Sequence, residues 1–172
     1  MGASLVVRGA REDDASAIAD IHVRSWREAY RGLLPDELLD ELSAERRERS
    51  WRDILAGRTR VSTTLVAEEP EAAVAGFCAL AIAADEAEIA ALYVEPGRFR
   101  RGIGSALLEA AMARAAMAGC RTALLWVLPE NTPAIAFYAR FGFAPDGGEK
   151  IEEPSGARVI RLRAPVPEER GG

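Results

Sequence analysis

Arg98, Arg100 and Arg101 stand within a few residues of Gly102 and Gly104, and guanidinium groups beside glycines suit the binding of anions. An apolar run of strand length, Ile89 to Val94, leads into Glu95-Pro96-Gly97, which stops it because proline cannot donate to a ladder. After the basic segment, Gly102-Ile103-Gly104 opens into Ser105-Ala106-Leu107-Leu108, and apolar residues recur at helical spacing through Met112 and Ala116. The plan is strand, basic glycine-rich loop, helix. The first N–H groups of a helix have no partner inside it, and the helix dipole adds partial positive charge there. Glycines let a phosphate come close to those groups. The loop therefore reads as a pyrophosphate site, the alternative being a tight turn with solvated arginines. A dinucleotide fingerprint needs Gly or Ala where Leu107 stands, and no G-K-[ST] run of the Walker type exists.

Such a loop needs a scaffold. The chain has 172 residues, a length that suits one domain, with a core over about 5–163 and a loose Pro/Glu/Gly-rich tail from Ala164 to Gly172. Leu5 to Arg8 reads as a first strand. A helix follows behind Glu12, Asp13 and Asp14, with Ile18, Ile21, His22, Ser25, Trp26 and Ala29 on one side. Pro35 to Leu55 reads as a second helical stretch with a break near Ser43. Thr63–Glu68, Ala73–Ile82 and Glu86–Val94 form an antiparallel meander. Helix then strand implies a crossover, so Ala123–Val127 lies parallel to the Glu88–Val94 strand. Thr132 suits an N-cap and Pro133 a first helical position, and Gly142 stops that short helix. Glu149–Glu153 and Ala157–Arg163 close the chain as a hairpin. The expected fold is α/β: a mixed, mostly antiparallel sheet of about seven strands with a parallel central pair, and helices on both faces.

The loop spacing resembles R/Q-x-x-G-x-G/A, the acetyl-CoA loop of the GNAT superfamily of N-acetyltransferases. The upstream pattern E-x-x-A-L-Y-V-x-P is matched by Glu88, Ala91, Leu92, Tyr93, Val94 and Pro96. Downstream, Asn131, Phe137-Tyr138 and Gly142-Phe143 match the strand, Asn, F-Y and G-F order of the family. Phe99 departs from the pattern at the Arg or Gln position; Arg98 or Arg100 supplies the charge instead. The resemblance implies acetyl-CoA as co-substrate, with the parallel strands splayed around its pantetheine arm. It implies direct transfer of an acetyl group to a primary amine. Leu92, Tyr93, Val94, Phe99, Arg100, Arg101, Gly102, Ile103, Gly104, Ser105, Asn131 and Tyr138 become the expected acetyl-CoA contacts.

Acetyl transfer needs a positioned thioester, a neutral amine, a donor for the carbonyl oxygen and a proton for the leaving thiolate. Splayed strands leave backbone groups unpaired for the pantetheine amides, and the N–H of Leu92 is the expected oxyanion donor. Glu88 is the expected base: it lies fourteen residues before Gly102, where many family members carry a catalytic Glu, and strict alternation puts it on the face of Leu92. Otherwise it is a solvated strand-edge Glu. Tyr138 is the expected acid, offset from a Phe137/Phe141 stripe that packs on the sheet. Trp26 and Tyr30, with Trp51, are expected to line the acceptor pocket, or else to pack the first two helices together. His22 is read as a packed histidine. Two other functions compete: a noncatalytic acyl-CoA-binding module and a nucleotide-binding regulatory domain.

Net charge −5 argues against nonspecific nucleic-acid binding. No run reaches the ~18 apolar residues that span a bilayer, and no secretory signal is visible at Met1 to Gly9. Cys78 and Cys120 lack metal spacing and suit a reduced, cytoplasmic protein without a metal. Apolar sheet edges suit a homodimer. The expected partner is a small-molecule or peptide amine, of unknown identity.

Overall fold

The computed structural model describes residues 4–70, 72–99 and 101–168. In chain order the elements are β1 (Val6–Gly9), a 3-10 turn (Glu12–Asp14), α1 (Ala15–Tyr30), α2 (Asp36–Asp40), α3 (Ala44–Leu55), β2 (Thr63–Glu69), β3 (Ala72–Ala83), β4 (Glu86–Val94), α4 (Ile103–Met117), β5 (Thr122–Val127), α5 (Thr132–Ala139), β6 (Ala144–Glu152) and β7 (Ala157–Pro165). They build one seven-stranded sheet in the order β1-β2-β3-β4-β5-β7-β6. Every neighbouring pair is antiparallel except β4 and β5, which are parallel. The expected mixed sheet and crossover are both present.

Helices cover the two faces, and those on each face bury apolar side chains against the sheet. On one side α4 buries Ile103, Leu107, Leu108, Ala111, Met112 and Ala115, a helical repeat that packs on β2, β3 and β4. Burying each of the larger side chains stabilises the fold by about 1.5–3 kcal/mol. Gly76 on β3 is part of this seating: a Cβ there would meet the Tyr93 carbonyl at 3.0 Å and Ile103 at 3.1 Å. On the other side Ile18 and Ile21 of α1 and Trp51 of α3 pack on Val66, Phe77 and Ala79. A third cluster joins Leu34 and Leu39 to Leu128 and Val159, so the segment after α1 rests on the β5–β7 half of the sheet.

The break near Ser43 separates α2 from α3, and the Ser43 hydroxyl caps α3 by accepting from the Arg46 N–H at 3.3 Å. Two expectations need correction. The chain stays packed beyond Arg163: Ala164 and Val166 are buried, and the Val166 N–H donates to Arg121 at 2.8 Å. The cap of α5 is Asn131, not Thr132, because its side chain accepts from the Ala134 N–H at 3.4 Å.

Candidate active site

The parallel pair is short. Residues Glu86, Ala87 and Glu88 pair with Thr122, Ala123 and Leu124, and beyond them β4 and β5 separate. Backbone groups of β4 after Glu88 therefore have no β5 partner, in a region where an unpaired buried group is costly. A cavity of about 920 Å³ opens there, within the range of small-molecule sites. Leu92, Tyr93 and Val94 line it from β4, and Asn131, Phe137 and Tyr138 from the β5–α5 side. Gly102, Ile103, Gly104 and Ser105, at the first turn of α4, line the same cavity.

Gly102 is the N-cap of α4 with φ +76°, a conformation glycine adopts without strain. Ile103 is buried and anchors the turn. A Cβ on Gly104 would meet Phe137 at 3.5 Å, so the α4 terminus and α5 touch at this point. Phe99 lines the cavity and is 54% exposed. Arg98 also lines it and is ion-paired to Glu69, which Arg101 approaches to 3.7 Å. Arg101 is exposed and is not among the lining residues. Arg100 lies outside the described residues. Together the loop offers helix N–H groups, a small side chain and a guanidinium to one cavity, the chemistry of a phosphate cradle.

Tyr138 is buried, lines the cavity, and has no hydrogen-bond partner among the described residues. Burial raises its pKa, and the neighbouring Cys78 and Tyr30 add to the rise. Tyr93 is raised by burial and then by Tyr30 and Tyr138, so three phenols converge where the strands part. The Tyr30 and Tyr93 hydroxyls are 3.3 Å apart. Tyr138 is the buried residue of α5, while Phe137 and Phe141 are half-buried and pack against the same core as α4. Burial also pushes the Cys78 thiol up to about 12, which marks it as a packed, inert thiol.

Glu88 is placed differently from its expected position. Ala79 pairs with Ala91 but Leu80 pairs with Ile89, so Ala90 is an extra residue that forms a β-bulge. Ala87, Ile89, Leu92 and Val94 therefore share the α4 face, and Ala91 and Tyr93 face α1 and α3. Glu88 alternates with Ala87 and Ile89, so it stands opposite Leu92. Its carboxylate accepts from Arg60 at 2.9 Å, and it does not line the cavity. Trp26 is also absent from the lining: it stands behind Tyr30, edge-on at 5.0 Å. Trp51 is buried, and its indole N–H donates to His22 Nδ1 at 3.1 Å. Burial, then the charge of Arg47, holds the His22 pKa down to about 3, so this packed histidine stays neutral.

Several lining residues escaped the sequence reading. Ser25, Glu28 and Ala29 repeat at i, i+3 and i+4 on α1, and the Ser25 hydroxyl donates to the Val94 carbonyl at 3.2 Å. Trp126, Glu130 and Arg140 line the opposite wall. The α1 stripe was legible as a half-polar helix face; Trp126, between Leu125 and Val127, looked like strand core.

The sequence profile of the acetyltransferase (GNAT) family matches residues 16–143. The chain is 29% identical over 142 residues to the uncharacterized N-acetyltransferase YuaI of Bacillus subtilis, covering 80% of this chain and 79% of the relative. It is 25% identical over 162 residues to the spermidine N(1)-acetyltransferase of Thermoplasma acidophilum, covering 91% and 95%. The fold matches the crystal structure of the PaiA N-acetyltransferase from Thermoplasma acidophilum in complex with coenzyme A, with TM-score 0.78 and 21% identity over 94% of this chain and 99% of that one. The profile spans the cavity's strands, loop and short helix, and the chain belongs to the GNAT acetyltransferase family, as an acetyl-CoA-dependent acyltransferase.

Proposed function

We propose that the protein transfers acetyl directly from acetyl-CoA to a primary amine within the β4–β5 gap. The carrying observation is the cavity itself, where a phosphate cradle, unpaired strand backbone and a partnerless phenol meet. In this reading the amine lone pair attacks the thioester carbonyl, the C–N bond forms, and the C–S bond breaks. The N–H of Leu92 faces the developing oxyanion, a contribution worth about 3 kcal/mol where a fixed donor acts in a dry site. The proton lost by the amine passes to water, since Glu88 is held by Arg60 outside the cavity.

Tyr138 hydrogen-bonds the departing sulfur. Its raised pKa keeps the hydroxyl protonated at ordinary pH. A thiol has pKa of about 8.5, well below that of this phenol, so full proton transfer is uphill and the hydroxyl acts as a donor. Gly102, Gly104, Ser105 and Arg98 take the pyrophosphate, and Asn131 offers its amide N–H to the pantetheine arm while its oxygen caps α5.

Tyr138→Phe tests this arrangement. The variant should keep its melting temperature and its acetyl-CoA affinity, and lose turnover by about 10²-fold. Wild-type turnover in the folded variant assigns the sulfur to another donor. Relatives of similar likeness act on unlike acceptors: one is named for spermidine, and at 31% identity another is a mycothiol acetyltransferase. The acceptor has to be read from the cavity.

A further inference from the structure

Ser25 on α1 is 5% exposed, and its hydroxyl donates to the Val94 carbonyl at 3.2 Å. That carbonyl points into the strand gap. The Glu95 N–H donates to the Ala75 carbonyl at 2.8 Å, and the register that pairs Gly76 with Val94 runs unbroken to Ala79 and Ala91. Alternation then turns the backbone groups of Ala91, Tyr93 and Glu95 toward β3. It turns those of Leu92 and Val94 toward the side that β5 has left. A helix residue thus reaches a strand carbonyl that no strand pairs. Arg24, one residue earlier, pairs with Glu95, so α1 is fastened at the same point of the chain.

A hydroxyl carries one proton and two lone pairs. The proton of Ser25 is committed to Val94, and no donor among the described residues reaches its oxygen. Ser25 lines the cavity, so what it offers there is an acceptor only. The thioester oxygen and the leaving thiolate are acceptors themselves and gain nothing from it. The N–H groups that enter with the substrates are those of the pantetheine amides and of the attacking amine. Position along β4 separates these. A Cβ on Gly104 would meet the Val94 side chain at 3.6 Å, so Val94 lies at the phosphate end of the gap. Leu92, whose N–H faces the thioester oxygen, lies two residues back, a rise of about 6.7 Å. An arm laid from the α4 terminus to Leu92 passes Val94 just before its sulfur. A two-carbon spacer joins the sulfur to the nearest amide, so that amide N–H comes beside Val94 and Ser25.

We propose that Ser25 is a positioning residue for the donor substrate: with its proton on the Val94 carbonyl, its oxygen accepts from the pantetheine amide N–H nearest the sulfur and so sets the thioester at the Leu92 N–H. This rests on the acetyl-CoA reading. Calorimetry with three ligands tests it: CoA, a CoA analogue with an ester oxygen in place of that N–H, and 3′-phospho-ADP, which has the phosphates but no arm. Wild type should bind CoA about tenfold or more tightly than the ester analogue. In Ser25→Ala that lead should shrink to about threefold or less, through weaker CoA binding, while 3′-phospho-ADP affinity holds. Ser25→Cys, which keeps the volume and puts a weak acceptor in place of the oxygen, should behave in the same way. A lead that shrinks in neither variant overturns the inference. So does equal weakening of all three ligands, which makes Ser25 a brace for the loop, and so does tighter CoA binding, which makes its hydroxyl a competitor for the carbonyl. Absence of CoA binding to wild type removes the acetyl-CoA reading and this inference together; CoA binding with an unchanged lead overturns this inference alone.

Discussion

Glu88 shows how one residue's role turns on one neighbour. Strict alternation would give it the face of Leu92, but the bulge at Ala90 moves it to the other face, where Arg60 pairs with it. A half-exposed pair of this kind contributes at most about 1 kcal/mol. Glu88→Gln should therefore leave stability nearly unchanged and turnover within about twofold of wild type, the change expected of a carboxylate outside the proton path. A pH–rate profile across the neutral range checks this; a tenfold loss that grows toward low pH would make Glu88 the base in spite of Arg60. Tyr138 is the converse case. Its type and its F-Y context were legible in the sequence, and its closeness to Tyr30 and Tyr93 was not, because three phenols from three elements meet only once the sheet is built. Glu28 is exposed and also lines the cavity, a placement that only the assembled fold reveals.

At the scale of elements, alternation and turn chemistry carried far. The meander, the parallel crossover and the break at Ser43 all follow from local rules, since each rests on residues close in the chain. The bulge does not, because Ala90 is one small residue among several. The loop at the α4 N-terminus is the element on which acetyl-CoA binding depends, and its two glycines do different work. Gly102 has φ +76° with no atom within 4 Å of an added Cβ, so alanine there meets only backbone strain, about 1–2 kcal/mol. Gly104 has no such φ, and its Cβ would make ordinary contact with Phe137 at 3.5 Å. Gly102→Ala should lower both melting temperature and acetyl-CoA affinity. Gly104→Ala should hold the melting temperature and weaken acetyl-CoA about tenfold, because the added methyl stands where a phosphate approaches. Calorimetric titration of both variants checks the pair; unchanged affinity in both removes the phosphate assignment.

The whole molecule couples its cavity to its core through His22. This side chain lies between α1, α3 and the sheet, accepts from Trp51, and stacks on Tyr93 at 5.2 Å, whose hydroxyl meets Tyr30 at the cavity wall. Its folded pKa is about 3, against an ordinary value of 6.5. Between those values the unfolded chain binds a proton at this residue that the folded chain does not. Stability therefore falls as pH falls through that window, by up to about 1.4 kcal/mol per unit. The carboxylates with depressed pKa act elsewhere on the scale. Asp14 is held low by the Arg8 hydrogen bond, and its contribution is present above its ordinary value of 3.8 and lost only below it. Acidification from pH 7 to 5 thus isolates the sole histidine. Urea unfolding should show wild type losing up to about 2 kcal/mol over that range. His22→Gln, which keeps an acceptor for Trp51 and does not titrate, should lose much less. Parallel losses in the two proteins would mean that His22 charges in place and the α1–α3 packing opens to admit water. With the expected difference, addition of acetyl-CoA should raise the stability of the folded state at both pH values by mass action.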